Sequence, residues 1–289
     1  MSTQAFGTSS SSSAVTNDGL FELRDLIYEA CGIFFPDGKR YFLESRFARR
    51  MEAVGVSSYF EYLRYLRQSP QKNEEMKKLI EEITTNETSF FRNMPQFQAL
   101  QTIILPKIVE TKGKAGFKKL KLWSAACSSG EEPYTLAMIL NEKLPTLLAG
   151  WMFDIHATDI NDQVLAKARE GIYGDYALRS TVDYFKNKYF TQQGPNYIIT
   201  PNLKKYIRFQ NLNLYDDSKM VFMKGFDIIF CCNVLIYFDQ SSKKKVVQHF
   251  FGNLNQGGYL FIGHSESLYG INNDFKLHHF PGGVVYQKP

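Results

Sequence analysis

The sequence predicts an α/β fold in which an all-helical N-terminal domain precedes a doubly wound domain that carries a small antiparallel β insert. Residues 20–82 place apolar residues at helical spacing. After Phe117, short apolar runs alternate with helical segments, which is typical of a parallel sheet covered by helices. A β-rich stretch with GPN and TPN turns interrupts that alternation and predicts the insert.

These patterns divide the chain into three parts. A serine-rich lead, residues 1–17, is expected to be disordered. The helical domain and a polar lid cover 18–92, and the α/β domain covers 93–289, with its β insert at about 178–210. A helix near 95–110 is expected to link the two domains.

Four helices are predicted in the N-terminal domain. Asn17 or Asp18 caps the first helix, and Gly32 ends it. The second runs over 41–53 and ends at Gly55. Ser57 or Ser58 caps the third, and the turn SPQKNEE leads into the fourth.

The α/β domain is predicted from four strand-like runs and the helices between them. The strands are KLKLWSAAC, WMFDIHATDI, FDIIFCCNVLIYF and GGYLFIGH, and the helices are EEPYTLAMILNEKL, NDQVLAKAREGIY and SSKKKVVQHFFGNL. FKLHHF and GGVVYQK are expected to close the sheet as an antiparallel pair. Residues 189–210, with YIIT and KYIRFQ, are expected to form the antiparallel insert.

Composition excludes several functional classes. The chain has 289 residues, 44% of them hydrophobic, and a net charge of +5, which is globular and too mildly basic to indicate nucleic-acid binding. No apolar run approaches the roughly 18 residues of a membrane span, and the N-terminus has no signal-peptide pattern. The four cysteines form no CxxC pair, so we expect reduced thiols in a cytoplasmic protein.

The strongest chemical signal follows the first predicted strand. Small residues in SAACSSG let a ligand approach the backbone where strand turns into helix. Glu131 and Glu132 stand where a dinucleotide enzyme would hold pyrophosphate, and their charge repels phosphate. The motif therefore favours a ligand with a cationic head, such as S-adenosylmethionine. The alternative is a helix N-terminus enriched in glutamate for dipole reasons.

Two further strands end in polar residues, and a polar segment precedes the sheet. Asp159 could accept bonds from ribose hydroxyls or cap the following helix. Asn233 and Tyr237 could face the ligand crevice or be buried polar groups with satisfied hydrogen bonds. The segment ITTNETSFFR, residues 83–92, could be a lid or a capped helix start.

These blocks, in this order, resemble the CheR family of S-adenosylmethionine-dependent chemoreceptor glutamate O-methyltransferases. The matching blocks are TTNETSFFR, SAACSSGEEPYT, ATDI with KAREGIY, FDIIFCCNVLIYFD and GYLFIGHSESL. The resemblance covers nearly the whole chain from about residue 20. It implies a Rossmann-like methyltransferase domain after the helical domain, with the β insert within it. It also implies methyl transfer to receptor glutamates in sensory adaptation.

The resemblance also implies site residues. The implied cofactor-binding residues are Asn86, Thr88, Arg92, Glu132, Asp159, Asn213, Leu214, Cys232 and Asn233. Arg92 and Tyr237 are the implied catalytic residues, with Tyr237 near the transferred methyl group. Cys232 departs from the pattern, because familiar members often carry arginine there; that cofactor contact is expected to be lost or made by backbone.

The partner implied by the resemblance is the cytoplasmic helical bundle of methyl-accepting receptors. Arg46, Arg49 and Arg50 fall at i, i+3 and i+4 on the second helix, so we expect one basic face that docks acidic receptor helices. An ordinary solvated face is the alternative. In the family, the β insert can hold a receptor's C-terminal tether peptide; here the insert could equally be a structural flap. We expect a monomer.

Other functions are less well supported. One rival is a related methyltransferase that serves a non-chemotactic receptor, and another is a scaffold or cofactor sensor that has lost catalysis. A nucleic-acid methyltransferase lacks its NPPY-like or cysteine-nucleophile motif. GHSES, residues 263–267, departs from the G-x-S-x-G hydrolase elbow at Ser267. Adjacent His278 and His279 point to opposite faces of a strand, so we expect no metal.

Overall fold

The computed structural model describes residues 12–289, with side chains from Gly19 onward. Most of the predicted disordered lead lies outside the described residues. Its part from Ser12 to Asn17 is helical, so the first helix begins earlier than its predicted cap at Asn17 or Asp18. The described chain divides into two compact units at Thr84–Thr85. The lid segment from Thr85 onward therefore belongs to the second unit.

Four helices make up the first unit. They are α1 (Ser12–Cys31), α2 (Arg40–Val54), α3 (Tyr59–Gln68) and α4 (Lys72–Ile83), with a short 3₁₀ turn at Asp37–Lys39. Gly55 ends α2 in the left-handed conformation with φ 74°. Ser58 caps α3 through a complete capping box with Glu61. The unit packs around the fully buried side chains Leu23, Ile27, Leu43, Phe47, Tyr62 and Leu79.

The second unit is an α/β domain. Its helices are α5 (Met94–Ala99), α6 (Leu105–Lys114), α7 (Glu131–Lys143), α8 (Asp162–Glu170), α9 (Asp183–Tyr189), α10 (Pro201–Lys204), α11 (Asp217–Met220) and α12 (Gln240–Asn253). Its strands are β1 (Lys119–Ala125), β2 (Met152–Asp159), β3 (Ile172–Gly174), β4 (Phe190–Gln193), β5 (Asn196–Ile199), β6 (Ile207–Asn211), β7 (Phe226–Cys231), β8 (Leu254–Ile262), β9 (Lys276–Phe280) and β10 (Gly283–Gln287).

The main sheet has seven strands in the order β6-β2-β1-β7-β8-β10-β9. The first five run parallel, while β10 pairs antiparallel with β8 and β9, which confirms the predicted closing pair. β1 has β2, the next strand of the main sheet along the chain, on one side and β7, which comes much later, on the other. The carboxyl ends of β1 and β7 therefore flank the switch point at which such sheets bind ligands.

The insert differs in part from its prediction. Residues 207–211, expected in the antiparallel excursion, form β6 at the edge of the main sheet and pair parallel with β2 from Ile155 to Asp159. The small sheet has the order β3-β5-β4, and its third member, Ile172–Gly174, was expected to end a helix. An edge strand with one buried face has the same alternation in either sheet, so local pattern alone did not distinguish them.

The helix expected near 95–110 is present but lies wholly within the second unit and does not link the domains. It runs from α5 through a π-helical turn, Leu100–Ile104, into α6. Its apolar side chains are part of the core of the α/β domain: Phe97, Leu100, Ile104, Leu105 and Ile108. Burial of this face explains why the helix belongs to the second unit.

Candidate active site

The loop between β1 and α7 is a close backbone cradle. Ala126 and Ser128 adopt left-handed φ values of 56° and 50°, and Gly130 has φ 95°. A Cβ atom at Gly130 would lie 2.9 Å from Cβ of Ala168 and 3.2 Å from the Tyr173 hydroxyl, so only glycine fits. The Tyr173 hydroxyl in turn donates to the Ser129 carbonyl at 2.7 Å and fixes the loop.

The two glutamates at the start of α7 have different environments. Glu131 accepts from its neighbour Ser129 Oγ at 2.8 Å. Glu132 accepts from Ser124 Oγ, on β1, at 2.6 Å. Burial raises the pKa of Glu132 to about 7, opposed by the Ser124 hydrogen bond and the positive charge of Arg92. Of the two glutamates, Glu132 is therefore the one that contacts the carboxyl end of β1.

Asp159 is held at the carboxyl end of β2 by backbone donors. Its carboxylate accepts the N–H of Ser128 at 2.8 Å and the N–H of Asn161 at 3.0 Å, and it is 6% exposed. Burial raises its pKa, and those backbone hydrogen bonds oppose the rise. The cap of α8 is Asn161, which accepts from the N–H groups of Gln163 and Val164. The capping alternative for Asp159 is therefore wrong.

The segment after β7 carries the third group of predicted residues. Asn233 has a left-handed φ of 62°, and a 3₁₀ turn at Leu235–Tyr237 holds the half-buried Tyr237. Cys232 donates from Sγ to Oε1 of Gln96 at 3.3 Å, and Gln96 donates to the Ile262 carbonyl. Burial raises the pKa of the Cys232 thiol well above its usual value. That thiol is therefore a neutral hydrogen-bond donor.

The lid segment contacts the cradle without forming a helix. Ser128 Oγ donates to the Asn86 carbonyl at 3.0 Å, and the N–H of Phe91 donates to Thr135 Oγ1 on α7 at 3.2 Å. Thr88 is half-buried and Arg92 is exposed, with one guanidinium nitrogen donating to the Glu87 carbonyl at 2.8 Å. The helix-start alternative for this segment is therefore wrong.

The predicted adenine-flanking segment follows β6 and is joined to Asp159. The Leu212 N–H donates to the Asp159 carbonyl at 2.9 Å. Next along the chain, Asn213 Oδ1 accepts the N–H of Tyr215 at 3.0 Å, and the Leu214 carbonyl lies 2.9 Å from His249 Nδ1. The segment thus begins beside the end of β2, at the same edge of the sheet as the cradle.

The predicted basic face on α2 is not uniform. Arg50 forms two hydrogen bonds with Glu75, at 2.9 and 2.6 Å, and its side chain is 18% exposed. The Arg46 guanidinium stacks 4.7 Å from the Phe42 ring centroid, and its Nε is buried without a hydrogen-bond partner. Arg49 remains half exposed while it pairs with Glu82 at 2.9 Å. Arg50 therefore contacts Glu75 within the helical unit and does not share the exposure of Arg49.

Sequence reasoning missed two residues that organise the site. Gln96 bridges Cys232 and the end of β8, and Glu266 accepts three backbone N–H groups from the segments after β7 and β8. Glu266 stands inside GYLFIGHSESL, a block that carries the family resemblance but to which no role was assigned. No local pattern reveals either role. The partners of Gln96 lie 136 and 166 residues away. Two of the three donors to Glu266 lie 33 and 30 residues away, and only Gly263 is local.

Backbone strain is concentrated at this edge of the sheet. Within residues 12–289, the non-glycine residues with positive φ are Phe91, Ala126, Ser128 and Asn233. They lie in the lid, in the cradle and after β7, and strained backbone of this kind clusters at binding sites. Among the described side chains, no group of three His, Cys, Asp or Glu could hold a metal ion.

The cradle and its donor set fit S-adenosylmethionine. Small side chains and Gly130 leave the backbone open to a ligand. The carboxylates of Asp159 and Glu132 supply hydrogen-bond acceptors and negative charge, which are what a ribose diol and a cationic amino group would need. A phosphate group would be repelled by both carboxylates. The fold and the site therefore define an S-adenosylmethionine-dependent methyltransferase.

Comparison with known proteins identifies the family. Residues 86–283 match the model of the CheR methyltransferase SAM-binding domain, and residues 18–84 match the CheR all-alpha domain. The chain belongs to the CheR methyltransferase family. Its relatives include the chemotaxis protein methyltransferase of Borreliella burgdorferi, 39% identical over 90% of this chain and 91% of the relative.

Two other relatives also align with this chain over most of their length. Chemotaxis protein methyltransferase 2 of Vibrio cholerae is 36% identical over 95% of this chain and 94% of the relative. The chemotaxis protein methyltransferase of Escherichia coli is 35% identical over 91% of this chain and 88% of the relative. The expected activity is confirmed at this level: the protein uses S-adenosylmethionine to methylate chemoreceptors in sensory adaptation. In the described part of the chain, no helix is long and apolar enough to cross a membrane.

Proposed function

We propose that the methyl acceptors are glutamate side-chain carboxylates of the receptor's cytoplasmic helical bundle and that the products are glutamyl methyl esters. The observation that carries the proposal is the exposed guanidinium of Arg92, beside the acidic cradle, where it can pair with an incoming carboxylate. A glutamate is already ionised at neutral pH, so the acceptor needs no general base.

Each predicted residue then has a role in alignment. S-adenosylmethionine, when bound, supplies a methyl group on a positively charged sulfur. Glu132 and Asp159 hold the cationic and ribose parts, with Asn86, Thr88, Asn213, Leu214, Cys232 and Asn233 lining the remainder. Arg92 orients the receptor carboxylate, and Tyr237 orients the reacting groups. Near-attack alignment and exclusion of water supply the rate acceleration.

We propose that Arg49 contributes to receptor docking, and Arg46 beside it. Arg49 is the most available of the predicted arginines, because its side chain is 51% exposed while Arg50 is engaged by Glu75. An exposed guanidinium suits the acidic helices that carry methylated glutamates. We also propose a cytoplasmic monomer; the four cysteines form no disulfide, which suits a reducing compartment.

The small sheet is a candidate site for a receptor tether peptide. β4 pairs only with β5 and lies at the edge of that sheet, and its residues Thr191–Gln193 are exposed. An exposed edge strand can take an added peptide strand through its backbone groups. Titration of labelled C-terminal receptor peptides, followed by fluorescence anisotropy, tests this. The register of β4 against β5 turns the N–H of Gln192 away from β5, so binding that survives replacement of Gln192 by proline would contradict the proposal.

The experiment for the proposed function is methyl transfer itself. Protein, radiolabelled S-adenosylmethionine and membranes bearing chemoreceptors are mixed, and the receptor band is treated with mild base. We expect label in that band that returns as volatile methanol, since carboxyl methyl esters are base-labile. Base-stable label would indicate another acceptor. An absence of label despite S-adenosylhomocysteine binding would exclude the tested receptors as substrates.

A further inference from the structure

Glu266 is not among the site residues that the family resemblance implies, yet its carboxylate joins the ends of two strands at the active-site edge of the sheet. Oε2 accepts the N–H of Gly263 at 2.6 Å and the N–H of Asn233 at 3.0 Å, while Oε1 accepts the N–H of Ile236 at 3.2 Å. Gly263 directly follows β8, and the other two donors lie in the segment after β7. Both carboxylate oxygens are therefore engaged by backbone.

The bonded segment adopts an anion-binding conformation. Asn233 is left-handed, with φ 62°, and Val234 is right-handed, with φ −119° and ψ −42°. Successive residues of opposite hand turn their N–H groups toward one concavity, which favours a negative charge. Asparagine enters the left-handed region more readily than other non-glycine residues, but hydrogen bonds from its surroundings are still needed to hold that conformation in place. Glu266 supplies that support.

Gly263 provides an independent sign that this geometry is tightly determined. A Cβ atom there would lie 2.7 Å from Glu266 Oε2 and 2.9 Å from the backbone nitrogen of Asn233. The carboxylate could swing away, but the backbone nitrogen could not, so only glycine allows β8 and the β7 segment to approach so closely. Removing the Glu266 carboxylate, or adding a side chain at Gly263, should therefore disturb the same segment after β7.

We propose that Glu266 is a positioning residue for methyl transfer: it holds Asn233 and the Leu235–Tyr237 turn in the conformation that places Tyr237 in the active site. The inference rests on the proposed function, because it assigns Glu266 to the alignment of Tyr237. Glu266 touches no reacting group in this account and acts only through the backbone that it binds. The turn follows directly from the bonded residues, with the Ile236 N–H at its centre.

The charge of Glu266 also acts on the cradle. Its negative charge is one of the influences that raise the pKa of Glu132. Replacement by glutamine removes this charge and places an amide where three N–H donors converge, so one oxygen acceptor becomes a competing donor. The substitution is nearly isosteric, and it therefore perturbs the hydrogen bonds more than the packing.

The test compares Glu266→Gln with Asp274→Asn, a matched control on the same β8–β9 connection with an exposed side chain. Amide hydrogen exchange, followed by NMR without cofactor, should show faster exchange at Gly263, Asn233 and Ile236 in Glu266→Gln only. The kcat for receptor methylation should fall on the order of 100-fold while KM for the receptor stays within about 3-fold, the pattern of lost alignment rather than lost binding.

A second variant and a double mutant test the same role of Glu266 independently. Gly263→Ala retains the charge but displaces the carboxylate, so it should reproduce both effects even if Glu266→Gln folds poorly. Glu266→Gln should also lower kcat far less in a Tyr237→Phe background, because both act on one element. Unchanged exchange at the three amides, a kcat within about 2-fold of wild type, or fully additive effects would overturn the proposal. Wild-type protein that binds S-adenosylhomocysteine but methylates no tested receptor would instead contradict the proposed function for those receptors, and the amide-exchange comparison would still test Glu266.

Discussion

Ser124 donates from Oγ to Oε1 of Glu132 at 2.6 Å, which joins the end of β1 to the second residue of α7. Burial raises the pKa of Glu132 to about 7, although Ser124, Cys232 and Arg92 all oppose the rise. At neutral pH this carboxyl is therefore balanced between its two forms. A bound cation would favour the ionised form and release a proton wherever the free protein was still protonated.

Cofactor affinity should consequently depend on pH. We expect S-adenosylhomocysteine to bind more weakly as the pH falls below 7, by up to about tenfold per pH unit, because its amino group requires ionised Glu132. Isothermal titration calorimetry at pH 6 and pH 8 checks this. Titration in buffers of different ionisation enthalpy should show proton release on binding at pH 6.

Glu132→Gln is the matched variant for that measurement. It keeps a hydrogen-bond acceptor for Ser124 but cannot ionise, so its weaker binding should lose most of the pH dependence between pH 6 and pH 8. A wild-type affinity that is constant across this range would contradict the assignment of Glu132 to the cationic group.

The same raised pKa predicts a gain in stability for Glu132→Gln. Because the pKa in the folded protein, about 7, lies above the value of 4.5 for an exposed glutamate, folding disfavours the ionised carboxyl. The neutral form is fully present in both states below pH 4.5, and stability is lost as the pH rises from there through 7. The variant should therefore melt higher than wild type at pH 8, and the difference should be much smaller at pH 4.5. Scanning calorimetry of both proteins at these two pH values measures the difference. A melting temperature of Glu132→Gln below that of wild type at pH 8 would contradict the prediction.

The parts of the fold predicted correctly are those with local signals. Apolar runs located β1, β2, β7 and β8, and polar residues at their ends indicated the crevice with Glu132 and Asp159. Local pattern could not reveal Gln96 or Glu266, because the partners of Gln96 and two of the three donors to Glu266 are remote in sequence. It also misplaced Ile207–Asn211, because an edge strand looks alike in either sheet.

Arg92 is expected to contribute through the shape of its guanidinium. Lysine keeps the charge but loses the planar fork that can hold a carboxylate at two points. Arg92→Lys should lower kcat for receptor methylation on the order of 100-fold, while S-adenosylhomocysteine affinity changes less. Kinetics with receptor membranes and calorimetry separate the two effects. Near-normal turnover would rule out the role, and Arg179→Lys, which alters another lid-contacting arginine, is the control.

Charge reversal at Arg49 tests receptor docking. Its side chain is 51% exposed and its pair with Glu82 lies at the surface, where such pairs contribute about 0–1 kcal/mol. Arg49→Glu should therefore raise KM for the receptor several-fold without a comparable change in the melting temperature. Lys114→Glu, on α6, is an exposed control in the other unit. Receptor methylation that is unchanged in Arg49→Glu would remove Arg49 from the docking surface.

Replacement of Arg50, one residue further along α2, should lower the stability of the helical unit, which replacement of Arg49 should leave unchanged. Its guanidinium holds Glu75 at two points, and the Tyr62 hydroxyl donates to the same carboxylate at 2.6 Å. Glu75 is only 3% exposed, so Arg50→Met would leave a buried charge without its cation. Breaking such a pair costs about 3–5 kcal/mol, in this case within the helical unit.

Hydrogen exchange can localise that loss within the intact chain. In Arg50→Met, the amides of α2, α3 and α4 should exchange faster, while those of β1 and β7 serve as an internal reference in the second unit. A double variant that also carries Glu75→Leu should recover much of the lost protection, because it removes the unpaired charge along with its partner. If Arg50→Met left the three helices as protected as in wild type, the ion pair would not stabilise the helical unit, and Arg50 would regain its place beside Arg49 as a candidate for receptor docking.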